Sequence, residues 1–117
     1  PVPYGKHLIV EGAGGVLVPL NGRHTMLDLM QHLQVPVVVV ARTQLGTINH
    51  TLLTLEALNA RNIKIFGIVL NGEPNEDNRR SIEHFGGVPV IAQIERLHDL
   101  SRASLAAVFE REFGNFV

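Results

Sequence analysis

Four short apolar runs mark out the chain: Leu8-Ile9-Val10, Pro36 to Ala41 (PVVVVA), Lys64 to Leu70 (KIFGIVL) and Val88 to Ala92 (VPVIA). None alternates apolar with polar residues. A continuous apolar run of this length, bounded by turn residues, predicts a strand buried on both faces, the kind found in parallel sheets covered by helices. The run of valines between Pro36 and Ala41 is the clearest of the four, so it predicts the middle of the sheet.

Between these runs the apolar period changes to that of a helix. Thr25 to Leu33 predicts a short helix capped by Thr25, with Met26, Leu29, Met30 and Leu33 as its buried stripe and Asp28 as a first-turn acid favourable to the helix dipole. Thr47 opens a helix through about Arg61, with Ile48, Leu52, Leu55 and Leu58 or Asn59 facing inward. A polar helix from Glu76 to Phe85 is stopped by Gly86-Gly87. The last helix runs from about Leu100 to Phe113, with Leu105, Val108, Phe109 and Phe113 inward. Strand, loop and helix thus alternate four times, which predicts right-handed crossovers and one parallel sheet with helices on both faces. The expected fold is α/β, one domain over residues 1–117. A parallel sheet of so few strands leaves exposed edges, so an amino-terminal portion of the same domain is expected to precede it.

In open parallel sheets ligands collect at the carboxyl ends of the strands, and all four predicted strands end in polar or glycine-rich sequence. After the first comes Glu11 with Gly12, Ala13, Gly14 and Gly15, a bend whose amides can approach an anion because three of its residues lack a Cβ. After the second, Gly46, Thr47, Asn49 and His50 fall in the loop and first turn of a helix, where free amides and the dipole favour a carboxylate or phosphate. After the third comes Asn71-Gly72; an asparagine offers a donor and an acceptor together, which reading the edge of a purine requires. The fourth ends at Gln93 to Leu97. Each feature has a plainer reading as a turn, a cap or a solvated side chain; four on one edge point to a site.

Composition narrows the partners. Ten basic and eleven acidic residues give a net charge of −1, so nothing draws the chain as a whole to nucleic acid or an anionic membrane. With no cysteine it has neither disulfides nor a cysteine-bound metal, which fits a cytoplasmic protein. Its longest apolar run falls far short of a membrane span.

Three of these segments, taken in order, resemble the carboxyl-terminal half of the ATP-dependent dethiobiotin synthetases. They are Val10-Glu-Gly-Ala-Gly-Gly15 with Pro19-Leu20; Pro36 to His50 (PVVVVARTQLGTINH) with Leu53-Thr54; and Gly67-Ile-Val-Leu-Asn71. The resemblance covers nearly the whole chain. It implies a P-loop NTPase-like three-layer sandwich, of which this chain is the second half, and ring closure on 7,8-diaminopelargonate with carbon dioxide and ATP. It implies that Glu11 ligates Mg²⁺, and that Gly12, Ala13 and Gly14 contact ATP or the carbamate beside it. Gly46, Thr47 and Asn49 would hold the substrate carboxylate across a homodimer interface. Asn71 with Gly72 would recognise adenine, and Glu95, Arg96 and Leu97 would line the nucleotide pocket.

Two features depart from that family. The phosphate-binding sequence G-x-x-x-x-G-K-[ST] is absent, Gly5-Lys6-His7 having neither the upstream glycine nor the hydroxyl after lysine, so these 117 residues alone are expected to be inactive. The last loop has Ile94-Glu95 where the family usually has Ile-Pro. The competing expectations are a related ligase of the cobyrinic acid synthase kind, which shares the Leu45 to His50 segment, and a nucleotide-sensing module that lost the phosphate loop.

Overall fold

The computed structural model describes residues 8–114; Gly5-Lys6-His7 lies outside them. The elements run α1 (Met26–Leu33), β1 (Val37–Arg42), α2 (Thr47–Ala60), β2 (Ile65–Asn71), α3 (Glu76–Gly86), β3 (Val90–Ile94) and α4 (Arg102–Phe113). The three strands form one parallel sheet in the order β1-β2-β3. This is the α/β architecture that the alternating pattern predicts.

The core is built where α2 and α3 lie over the sheet. Leu55 and Leu58 of α2, Ile82 of α3, and Ile68 and Leu70 of β2 are fully buried, and Leu27, Val39, Ile63 and Val90 join the same cluster. Burying each such side chain contributes on the order of 1.5–3 kcal/mol. Gly86 lets α3 approach α2 closely, since a Cβ there would stand 2.6 Å from Leu55 Cδ1.

Polar ties hold α1 to this frame. Asp28 accepts the Thr25 amide at 2.7 Å and the Thr25 hydroxyl at 2.9 Å, and pairs with Arg61 Nη1, just beyond α2, at 3.0 Å. The same guanidinium donates to Gln31 Oε1 at 3.0 Å. Hydrogen bonds from Thr25, reinforced by Arg61, lower the Asp28 carboxyl to about 2. Asp28 is therefore a capping acid, as its first-turn position predicts. The α1 amides of Met26 and Leu27 donate to Val18 and Val16 carbonyls, so the loop after the glycine bend closes over the helix start.

The structure corrects several expectations. Leu8-Ile9-Val10 forms no strand, and Ile9 is 91% exposed. An apolar run becomes a strand only with a ladder partner, and among the described residues this run has none, so the sheet has three strands rather than four. The valine run is an edge strand, with β2 in the middle. Val39 is buried towards α2 while Val40 is 65% exposed, because the described helices cover one face of β1. In α1 Leu27 is buried more deeply than Leu29, Met30 or Leu33. In α4 Val108 is buried as expected, whereas Leu105 and Phe109 are about half exposed, because α4 is held chiefly through β3. Finally, β3 starts two residues later than its apolar run and extends through Gln93 and Ile94.

Candidate functional site

Arg42, Asn71 and Ile94 end the three strands in register, so the residues that follow them share one edge of the sheet. The turn after β2 is the most tightly held feature there. The Gly72 amide donates to the Ile94 carbonyl at 2.9 Å, and the Gly72 carbonyl accepts from Gln93 Nε2 at 2.8 Å. Gly72 has φ +136° and lies against Thr43, whose hydroxyl a Cβ at this position would overlap. Both the left-handed backbone and the lack of space require glycine. Asn71 is exposed at this edge, beside that turn.

A second feature lies at the start of α2. Gly46 takes φ +93° as the residue before the helix, the Thr47 amide donates to Gln44 O, and the His50 amide donates to Gly46 O. Among the described residues, the Ile48 and Asn49 amides find no acceptor. Beside them is a cavity of about 380 Å³ lined by Val39, Arg42, Thr47, His50, Thr51 and Thr54. Thr47 is 6% exposed, and its hydroxyl has no hydrogen-bond partner among the described residues. A buried hydroxyl left unpaired costs about 1–3 kcal/mol, so a partner supplied by a ligand or another part of the protein would recover that cost. Free amides, the positive end of a 14-residue helix and a hydroxyl donor suit a carboxylate or phosphate oxygen.

The glycine bend stands apart from these two. Glu11, Gly12, Ala13 and Gly14 are exposed, and Gly12 lies against the Met26 side chain at the start of α1. Among the described residues, no strand pairing or hydrogen bond links the bend to the edge formed by Arg42, Asn71 and Ile94. Glu11 therefore does not sit at a sheet end as its position after an apolar run predicts. It carries no ion pair or hydrogen bond among the described residues. No group of three His, Cys, Asp or Glu among those residues is placed to hold a metal.

After β3, Glu95 and Arg96 are exposed and Leu97 is half-buried. The segment ends in a cap on α4: the Asp99 carboxylate accepts the Ser101 hydroxyl and amide and the Ser104 hydroxyl, which together hold its pKa below the ordinary range. Glu112 of α4 is lowered likewise, first by its bond to Arg111 and then by the Gln93 amide it accepts at 3.0 Å.

Sequence reasoning missed two sets of residues. Thr51 and Thr54 join Thr47 along the cavity, and their spacing of four and three on a predicted helix was a readable sign of one polar stripe. The position of Gln93 after an apolar run predicts the start of a loop; no local signal shows that its side chain reaches the end of β2.

Comparison with known proteins bears on this arrangement. The model of a family described as an AAA domain matches residues 3–104. An ATP-dependent dethiobiotin synthetase from Paramagnetospirillum magneticum is 54% identical over 103 residues, covering 88% of this chain and 50% of that one. One from Lawsonia intracellularis is 42% identical over 104 residues, covering 89% of this chain and 51% of that one. A biotin biosynthesis bifunctional protein from Bordetella avium is 57% identical over 90 residues, 77% of this chain and 19% of that one. The chain thus spans about half the length of the synthetases it matches, and the resemblance drawn from its three motifs is found independently. Three parallel strands with helices, in a match of this kind, are part of a P-loop NTPase-type sandwich.

Proposed function

Because the chain belongs to the AAA domain family and is similar to dethiobiotin synthetases over most of its length, we propose that it is the carboxyl-terminal half of such an enzyme. The remaining half would carry the phosphate-binding loop and cover the face of β1 that leaves Val40 exposed. The intact protein would be a cytoplasmic homodimeric ligase of biotin biosynthesis, and residues 1–117 alone would be inactive. No described helix is long and apolar enough to cross a membrane.

The observation that carries this reading is the cavity at the start of α2. Its Thr47 hydroxyl has no partner among the described residues, and the free amides of Ile48 and Asn49 lie in the same first turn of α2. In the proposed reaction they bind the carboxylate of diaminopelargonate, with Gly46 shaping the turn, and this half-site serves the partner subunit. Held there, the substrate places its two amines at the nucleotide. One amine captures carbon dioxide as a carbamate, the γ-phosphoryl of ATP passes to the carbamate oxygen, and the second amine attacks the carbonyl carbon and releases phosphate. The catalytic contribution is mostly positioning and charge neutralisation.

Asn71 and Gly72 would hold adenine, with Glu95, Arg96 and Leu97 beside it, and Gly12, Ala13 and Gly14 would approach the phosphates or the carbamate. Glu11 fits a Mg²⁺ ligand by its chemistry: it is an exposed, unpaired carboxylate, and Mg²⁺ commonly takes one or two carboxylates plus substrate phosphates and water. Bound there, the ion would neutralise charge on the transferring phosphoryl group.

Thr47→Val in the full-length protein tests the reading. Removing an unpaired buried hydroxyl should leave folding stability unchanged or raised. The KM for diaminopelargonate should rise about tenfold, the loss of one hydrogen bond to a charged group, while the KM for ATP stays the same. An unchanged KM for diaminopelargonate would remove the cavity from the substrate site.

A further inference from the structure

The turn that presents Asn71 is gripped from three sides, and one of the grips is a side chain with no role in the readings above. The Gly72 amide is held by the Ile94 carbonyl at 2.9 Å, and Thr43 packs against the Gly72 α-carbon. The third contact is the Gln93 carboxamide, whose Nε2 reaches from β3 to the Gly72 carbonyl at 2.8 Å. Gln93 is itself anchored. Its backbone amide donates to Glu112 Oε2 at 3.0 Å, and the other Glu112 oxygen is held by Arg111 Nε at 2.7 Å. Hydrogen bonds to the main chain and side chain of Gln93 therefore link α4 to the peptide following Gly72.

Such a chain matters at this glycine more than elsewhere. With φ +136° and no Cβ, the peptide unit after Gly72 is free to rotate unless its carbonyl is tied. The Ile94 bond ties the peptide before Gly72, and the Gln93 bond ties the one after it. Together they fix the peptides on both sides of Gly72, and with them the backbone from which the Asn71 side chain extends.

We propose that Gln93 is a positioning residue for base recognition. By holding the Gly72 carbonyl it orients the Asn71 carboxamide, and so sets the preference for a 6-amino purine over a 6-oxo purine. The inference rests on the reading that Asn71 recognises adenine. Discrimination of this kind depends on orientation, because a 6-oxo base exchanges a donor for an acceptor and only a fixed carboxamide penalises the exchange.

The test compares the affinities of the full-length protein for ATP and ITP by calorimetry. Gln93→Leu keeps the bulk and removes the donor, Gln93→Glu keeps the shape and leaves only acceptors, and Gln93→Lys restores a donor. The expected result is a loss of about tenfold in the ATP:ITP preference for Gln93→Leu and Gln93→Glu, the worth of one hydrogen bond, with much of it recovered in Gln93→Lys. A merely structural role would lower the unfolding temperature and weaken both nucleotides alike, leaving the ratio intact, and that outcome overturns the proposal. Asn71→Ala separates the two levels. If it leaves the ratio unchanged, the adenine reading itself fails; if it collapses the ratio while Gln93→Leu preserves it, only the role of Gln93 is lost.

Discussion

Glu83 Oε1 of α3 accepts the Val90 amide of β3 at 2.8 Å, and this bond helps to close one side of the sheet. Arg79 Nη2 donates to the Val90 carbonyl at 3.2 Å, and Glu112 takes the Gln93 amide. Backbone groups that β2 does not use are thus occupied by side chains, a way of preventing a further strand from adding to an edge. Among the described residues no side chain does this for β1. Growth of the sheet is blocked at β3 and left open at β1.

Glu83→Ala should therefore have two effects. Leaving the part-buried Val90 amide unpaired should cost about 1–3 kcal/mol of stability, read from urea unfolding. The opened edge should also make the protein associate with rising concentration, read by light scattering. A variant that stays monodisperse and fully stable would show that the bond neither supports nor protects the edge.

Gly72→Ala should damage both stability and nucleotide affinity, since the residue meets Thr43 and sits at φ +136°. The double variant Gly72→Ala with Thr43→Ala should recover only part of the loss. Removing the Thr43 side chain makes room for the new Cβ and leaves the backbone strain, of about 1–3 kcal/mol, in place. Full recovery would mean that crowding alone demands glycine.

Asp28 supplies a pH-dependent contribution. Its carboxyl is lowered in the folded chain from 3.8 to about 2, so the stabilisation is complete above about pH 4 and fades as the pH falls towards 2. Asp28→Asn should be less stable than the parent at pH 7, and the gap should narrow between pH 4 and pH 2. Urea midpoints at pH 7, 4 and 2.5 measure this; a gap that stays constant down to pH 2.5 would rule out the ionised carboxylate as its source.

For the metal role, Glu11→Gln in the full-length protein should leave thermal unfolding unchanged, because Glu11 is exposed and makes no ion pair. Turnover at saturating ATP should fall sharply, and the Mg²⁺ concentration needed for half activity should rise. Normal turnover would take Glu11 out of the reaction.

Much of this protein could be read from its residues in order. Helices α1 to α4 fall within about two residues of their predicted spans, and β1 and β2 follow the apolar runs, because period and caps are local properties of sequence. The polar groups after Arg42, Asn71 and Ile94 share an edge because parallel crossovers require it. What the tertiary structure decided is which runs found partners. Leu8-Ile9-Val10 and the valines of β1 both read as strands of a sheet interior, yet one pairs with nothing among the described residues and the other is an edge. Apolar composition records only what a segment can bury; burial and strand pairing need a second segment to meet it. The reach of Gln93 to Gly72 has the same origin, since residues 21 positions apart become neighbours only when β2 and β3 lie side by side.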